Sequence, residues 1–170
     1  GNPMAEIIYE AVRYFANKPA QTDDFWYTTN SDAGLGLTKI GSGSGAPKTD
    51  WLQPYGTYPT CARPFLLTFS DISPSFDSDK LPGSYFNAGF TTDLTGLNVS
   101  TLADTIGTTE GIAGTSRFVG QTGASTDTLC SSKSVTNLSS VRGICPEEPT
   151  KQGSFYSSAV AYYGKEKLKN

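Results

Sequence analysis

The stretch from Arg63 to Asp71 holds a continuous apolar run, Phe65-Leu66-Leu67-Thr68-Phe69, that closes in the polar pair Ser70-Asp71, and it constrains the fold more than any other feature. Apolar side chains occupy both alternate sets of positions, so an extended backbone here has no polar face to turn toward water. The pattern predicts a central strand buried on both faces of a sheet. Such a strand needs neighbours on both edges and cover on both faces. Asp71 would stand at its C-terminal end, the edge at which open α/β sheets bind ligands.

Helical signals flank this run. Asn2-Pro3-Met4-Ala5-Glu6 reads as a helix start, with Asn2 as the capping side chain and Pro3 at the first helical position, where a missing N–H costs nothing. Met4, Ile8, Ala11, Val12 and Phe15 recur at helical spacing and predict an apolar face that packs on a sheet, ended by Asn17-Lys18-Pro19. A second helix is expected from Asn98 to about Thr109, and a third over Gly153 to Gly164, with small residues on one side and aromatics on the other. Lys165, Lys167 and Lys169 follow it and suit the negative end of a helix dipole. Arg117 to Gly120 reads as a short strand. Residues 20–60 read as a loop insertion holding Trp26, Trp51 and the run Gly41-Ser42-Gly43-Ser44-Gly45, and 120–152 as a mostly irregular segment. The two tryptophans are candidate anchors of a binding loop. The Gly-Ser run lacks the helix start and the G-K-[ST] of a phosphate cradle.

Charge and residue usage exclude several functions. The 170 residues carry a net charge of −3, and apart from the terminal lysines the basic residues are scattered, which gives no footprint for nucleic acid. No apolar run approaches the roughly 20 residues that span a bilayer. There is no histidine, which removes Ser-His and Cys-His nucleophile pairs and the mixed zinc sets. Three cysteines, Cys61, Cys130 and Cys145, form no C-x-x-C. Cys130 and Cys145 are separated by a polar, turn-capable stretch and are expected to pair, a loop of that length stabilising by about 3 kcal/mol. Cys61 is then left as a buried thiol or for a partner outside the chain.

The remaining chemistry lies in carboxylates. Asp71, Asp77 and Asp79 fall within one turn-rich stretch, where Asp, Ser and Pro offer the oxygen ligands that calcium or magnesium take. Asp77 and Asp79 serve either as such ligands or as solvated turn acids, since Asp77-Ser78-Asp79-Lys80-Leu81-Pro82 fails the EF-hand pattern. Paired acids, Asp71 with Glu110, would be the machinery of the alternative reading, a carboxylate-dependent glycan hydrolase.

Gly1 to Glu6, Tyr9 to Phe15, Phe65 to Asp71, and the tract Arg142 to Tyr156 followed by Ala159-Val160-Ala161-Tyr162-Tyr163 together resemble the second half of the von Willebrand A domain of PilY1-like type IV pilus tip and biogenesis proteins. The resemblance implies a partial α/β, Rossmann-like module over 1–170 whose first and last sheet strands are missing. Family domains hold a divalent ion through a first-strand D-x-S-x-S loop, a Thr before a helix and an Asp ending a later strand. Asp71 matches that Asp, Asn2 stands at the Thr position, and D-x-S-x-S is absent. The implied role is non-enzymatic: surface adhesion or pilus assembly, with a calcium or magnesium ion as cofactor. Implied partners are minor pilins, the remaining part of the parent chain, and a host or abiotic surface. The implied location is exported, at the cell surface, pilus tip, outer membrane or periplasm. The missing strands are expected to come from the insertion and Arg117 to Gly120, or from a partner chain.

Overall fold

A computed structural model of the chain describes residues 1–25, 51–57, 63–71, 73–123 and 128–168. It is mixed α/β with small antiparallel sheets, and it divides into two compact units, Gly1–Val12 with Leu66–Asn170, and Arg13–Phe65. Trp26, Cys61 and the Gly41–Gly45 run lie outside the described residues.

In the first unit, helix α1 (Met4–Phe15) starts where its sequence predicts, but Asn2 caps it with the backbone: the Asn2 carbonyl accepts from Met4 N at 2.8 Å, while the side chain turns to the loop at 70–73. Of the predicted face Met4, Ile8, Ala11, Val12 and Phe15, Val12 is buried, and the rest of the buried set is Ala5, Glu6, Tyr9 and Arg13. Helix α1 packs not on a sheet but on a helix and a loop. Tyr9 meets Phe90 edge-on at 6.1 Å and donates to Thr92 at 2.8 Å. A β-carbon on Gly164 would stand 3.2 Å from Val12 Cγ2, so the bare backbone of Gly164 admits Val12.

Helix α3 (Val99–Thr109) is capped as expected by Asn98, whose side chain accepts from Thr101 N at 2.9 Å. It packs against helix α4 (Tyr156–Lys167) and the 3-10 turn Leu138–Ser140. Lys165 and Lys167 fall in the last turn of α4, where cations face the partial negative charge of the free carbonyls. Two two-stranded antiparallel sheets complete the unit. Strand β1 (Thr115–Val119) pairs with β3 (Ser131–Val135) in the register Arg117↔Lys133, and β2 (Gln121–Thr122) pairs with β4 (Val141–Arg142). Three of these strands lie within 120–152, a stretch whose Gly, Ser and Thr content concealed them. The Cys130–Cys145 disulfide forms there. Val119, Val135 and Val141 bury together against Ile112.

The principal departure concerns the apolar run. Residues 63–71 form no strand, and Phe65, Leu66, Leu67 and Phe69 are 85%, 48%, 76% and 90% exposed. A strand exists only through its neighbours, and among the described residues no backbone hydrogen bond reaches Leu66–Phe69.

In the second unit, helix α2 (Pro54–Thr57) and the 3-10 turn Asp23–Phe25 accompany the last turn of α1. Trp51 is half-buried there: it meets Tyr14 edge-on at 5.7 Å, and the Arg13 guanidinium lies 5.7 Å from its ring. It anchors packing and is not held out on a loop tip.

Tyr156 knots the first unit together. Its hydroxyl is buried, donates to the Ser139 carbonyl at 2.7 Å and accepts from Tyr85 N at 3.0 Å. Tyr156→Phe leaves both groups without that partner and is expected to cost about 2–3 kcal/mol in urea denaturation. An unchanged midpoint would contradict this role.

Candidate functional site

The polar end of the first unit is built where the start of α1, the 70–79 loop and the residues leading into α4 converge. Asn2 reaches across 69 residues of sequence to Asp71, donating from Nδ2 to Asp71 Oδ1 at 2.8 Å and to the Ser73 carbonyl at 3.1 Å. Its Oδ1 accepts from the Ser70 hydroxyl at 2.8 Å. Its backbone closes a ring with Ser75: Asn2 N donates to Ser75 Oγ at 2.7 Å, and Ser75 N donates to the Asn2 carbonyl at 2.8 Å. Asp71 and Asn2, the two positions that the family resemblance aligned with metal ligands, therefore meet. Asp71 is exposed, and its Oδ1 also accepts from Ser73 N at 3.3 Å.

Asp77 lies apart from that pair and is fully buried. Its Oδ1 accepts from Ser154 N at 2.6 Å, and its Oδ2 accepts from Ala5 N, in the first turn of α1, at 3.4 Å. The Ser154 hydroxyl donates to the Asp77 carbonyl at 3.2 Å and accepts from Tyr156 N at 3.2 Å, so Ser154, one residue ahead of the cap position Phe155, ties the first N–H of α4 to the loop. One carboxylate thus satisfies backbone donors at the entries of two helices, where the partial positive charge of each terminus favours an anion. Asp77 is no solvated turn acid. Burial outweighs those hydrogen bonds and pushes its pKa up to about 6.

Glu6 completes the buried acid set, and the sequence reading missed it. It accepts from Lys80 N at 3.1 Å, and burial raises its pKa to about 7, against that hydrogen bond and the Lys80 charge, with the charges of Asp79 and Asp77 adding to the rise. Asp79 is half-buried and also acts electrostatically on Arg142, whose guanidinium lies over the Phe86 ring at 4.2 Å. Helical periodicity alone puts Glu6 one step from the buried Ala5, and that is the only signal for its burial.

These residues do not fit a hard cation by themselves. Calcium takes about six to eight oxygen ligands and magnesium about six. Here Asn2 turns its amide nitrogen, a donor, toward Asp71, and both Asp77 oxygens are taken by backbone N–H groups. Among the described residues, no group of three or more Asp, Glu or Cys side chains is placed to hold a metal ion. No described helix is long and apolar enough to cross a membrane.

Comparison with known proteins gives the family. A family model described as the second domain of PilY1 homologs matches residues 1–164. The chain is 39% identical over 168 residues to the type IV pilus biogenesis factor PilY1 homolog of Xylella fastidiosa (strain Temecula1 / ATCC 700964), a match covering 96% of this chain and 11% of that protein. No solved structure matches.

The raised acids set a pH dependence. In the unfolded chain Glu6 and Asp77 titrate near 4.5 and 3.8, and in the fold near 7 and 6, so between these values the native state holds the extra protons. Stability therefore falls as pH rises through that window, and urea midpoints should be higher at about pH 5 than at about pH 8. Glu6→Gln should flatten the slope and add about 2 kcal/mol at the alkaline end. A midpoint that climbs with pH over this range would contradict the assignment.

Proposed function

This chain belongs to the PilY1-homolog family, as a second domain, and from that premise we propose that it is a non-enzymatic binding module working in type IV pilus biogenesis at the exported face of the cell. The observation that carries the reading is the family match over 1–164, continuous through both helix-entry clamps and the exposed apolar run. The chain spans 11% of the length of the curated relative, so the role of the whole protein is drawn from that relative's description. The von Willebrand A relationship is part of the proposal and is supported by the meeting of Asn2 and Asp71.

Binding without catalysis agrees with the chemistry available. The sequence has no histidine, and the acids with raised pKa among the described residues, Glu6 and Asp77, hold backbone N–H groups. Exposed aromatic side chains, Tyr85, Phe118, Phe155 and Tyr162, offer contact area for a minor pilin, a receptor or an abiotic surface. Deleting 1–164 from the parent protein in its own host should abolish surface pili and adhesion. Normal piliation and adhesion in that strain would overturn the role.

Metal assistance would draw on Asp71, the exposed carboxylate of the polar cluster, with further ligands from outside the described residues. Calcium up to millimolar concentration is expected to leave the thermal midpoint of this chain unchanged. A rise that Asp71→Ala removes would restore an ion site to the chain alone.

A further inference from the structure

Strand β1 borders a cavity of about 360 Å³. The buried side chains of Val119, Val135, Leu138 and Val141 line it, together with the more exposed rings of Phe118 and Phe155. That volume lies in the roughly 300–1,000 Å³ range of clefts that take ligands. Arg117 is the charged residue in a lining that is otherwise apolar. Its Nε donates to Thr115 Oγ1 at 3.0 Å, and among the described residues its two terminal nitrogens have no partner. Its cross-strand neighbour Lys133 adds a second positive charge, but that ammonium is held by the Val119 and Leu129 carbonyls, which leaves Arg117 as the group able to receive an anion.

The strand itself has a free side. Among the described residues β1 pairs with β3 alone, and no further backbone hydrogen bond reaches Ser116–Phe118. Arg117, Phe118 and Val119 are consecutive, yet all three line the cavity. Side chains of a strand alternate between its faces, so a cavity that touches three in a row runs along the strand's edge.

We propose that this edge and its cavity together are a docking site for an extended acidic peptide, which pairs with β1, seats a large apolar side chain beside Val119 and sets a carboxylate, two residues away, on the Arg117 guanidinium. Charge selects the occupant. An apolar segment without an acid would cover the guanidinium unpaired, and a basic segment would be repelled. The spacing follows from the strand: Arg117 and Val119 share a face two residues apart, so the residues opposite them share one too. An added strand also supplies the backbone partners that the edge lacks. The proposal deepens the binding-module reading by naming the partner's chemistry, and the two fail separately, because piliation reports on the parent protein and peptide binding on this edge.

The test is a nuclear magnetic resonance titration of the chain with a capped five-residue peptide carrying phenylalanine second, aspartate fourth and threonine elsewhere. Saturable shifts of the Ser116–Val119 amides are expected. Asparagine in place of the aspartate should weaken binding about fivefold, and alanine in place of the phenylalanine about tenfold or more. Moving the aspartate to the third position should cost as much as removing it. In the Arg117→Glu chain the preference should reverse, so that a peptide with lysine in place of aspartate becomes the tighter ligand. No saturation at millimolar peptide, or equal affinity for the aspartate and asparagine peptides, would overturn the proposal. Binding of 4-phenylbutyrate as tight as that of the peptide would overturn it in favour of a small amphiphilic acid. Shifts of the same amides that appear without peptide and vanish on dilution would overturn it in favour of a second copy of the chain.

Discussion

The Asp77 carboxylate, buried and shared between the amides of Ala5 and Ser154, is the contact on which the rest of the first unit depends. The segments it joins are far apart in sequence, and each brings a helix entry whose first N–H groups have no partner within the helix. An anion between two such entries satisfies donors from both at once. The cost is desolvation of a charge, which the raised pKa of Asp77 expresses. Once the entries of α1 and α4 are held, the remaining contacts follow by short steps: Ser154 accepts from the first N–H of α4, Tyr156 in its first turn reaches Ser139 and Tyr85, and Gly164 further along receives Val12 of α1.

The same arrangement gives the apolar run its direction. Asn2, just ahead of α1, holds Ser70 and Asp71, so the end of the Leu66–Phe69 segment is tied to the helix that Asp77 fixes. The unit thus has a hydrogen-bonded polar end and an exposed apolar segment leading into it. The buried acids hold the helices, and the apolar side chains of Leu66, Leu67 and Phe69 stay exposed beside them.

Much of this was legible in the residues. Asn98 announces α3 because an Asn side chain before a helical pattern has one strongly favoured use, and Pro3 announces the start of α1, although the Asn2 side chain turns to the 70–73 loop instead of capping. The Cys130–Cys145 pairing followed from separation and a turn-capable intervening stretch. What was hidden depended on long-range partners. Asp77 and Asp79 sit in the same short, turn-rich stretch, and the distant Ala5 and Ser154 make one of them a buried clamp. The buried face of α1 is turned by one residue from its most apolar stripe because Tyr9 and Ala5 meet a loop and a helix rather than a sheet. Phe65 to Phe69 carries a strand pattern, yet no described residue pairs with the backbone of 66–69, and local apolar content without a partner makes no strand. Strands within 120–152 escaped notice because Ser131–Val135 has no alternating apolar set, its order coming from pairing with β1.

The most direct test of the central contact is the urea unfolding free energy of Asp77→Ala beside that of the unsubstituted chain. Loss of both backbone partners in a buried place predicts a fall of about 3 kcal/mol or more, with the helical signal of α1 and α4 lost at lower urea. An unfolding curve superimposable on that of the parent chain would contradict the account.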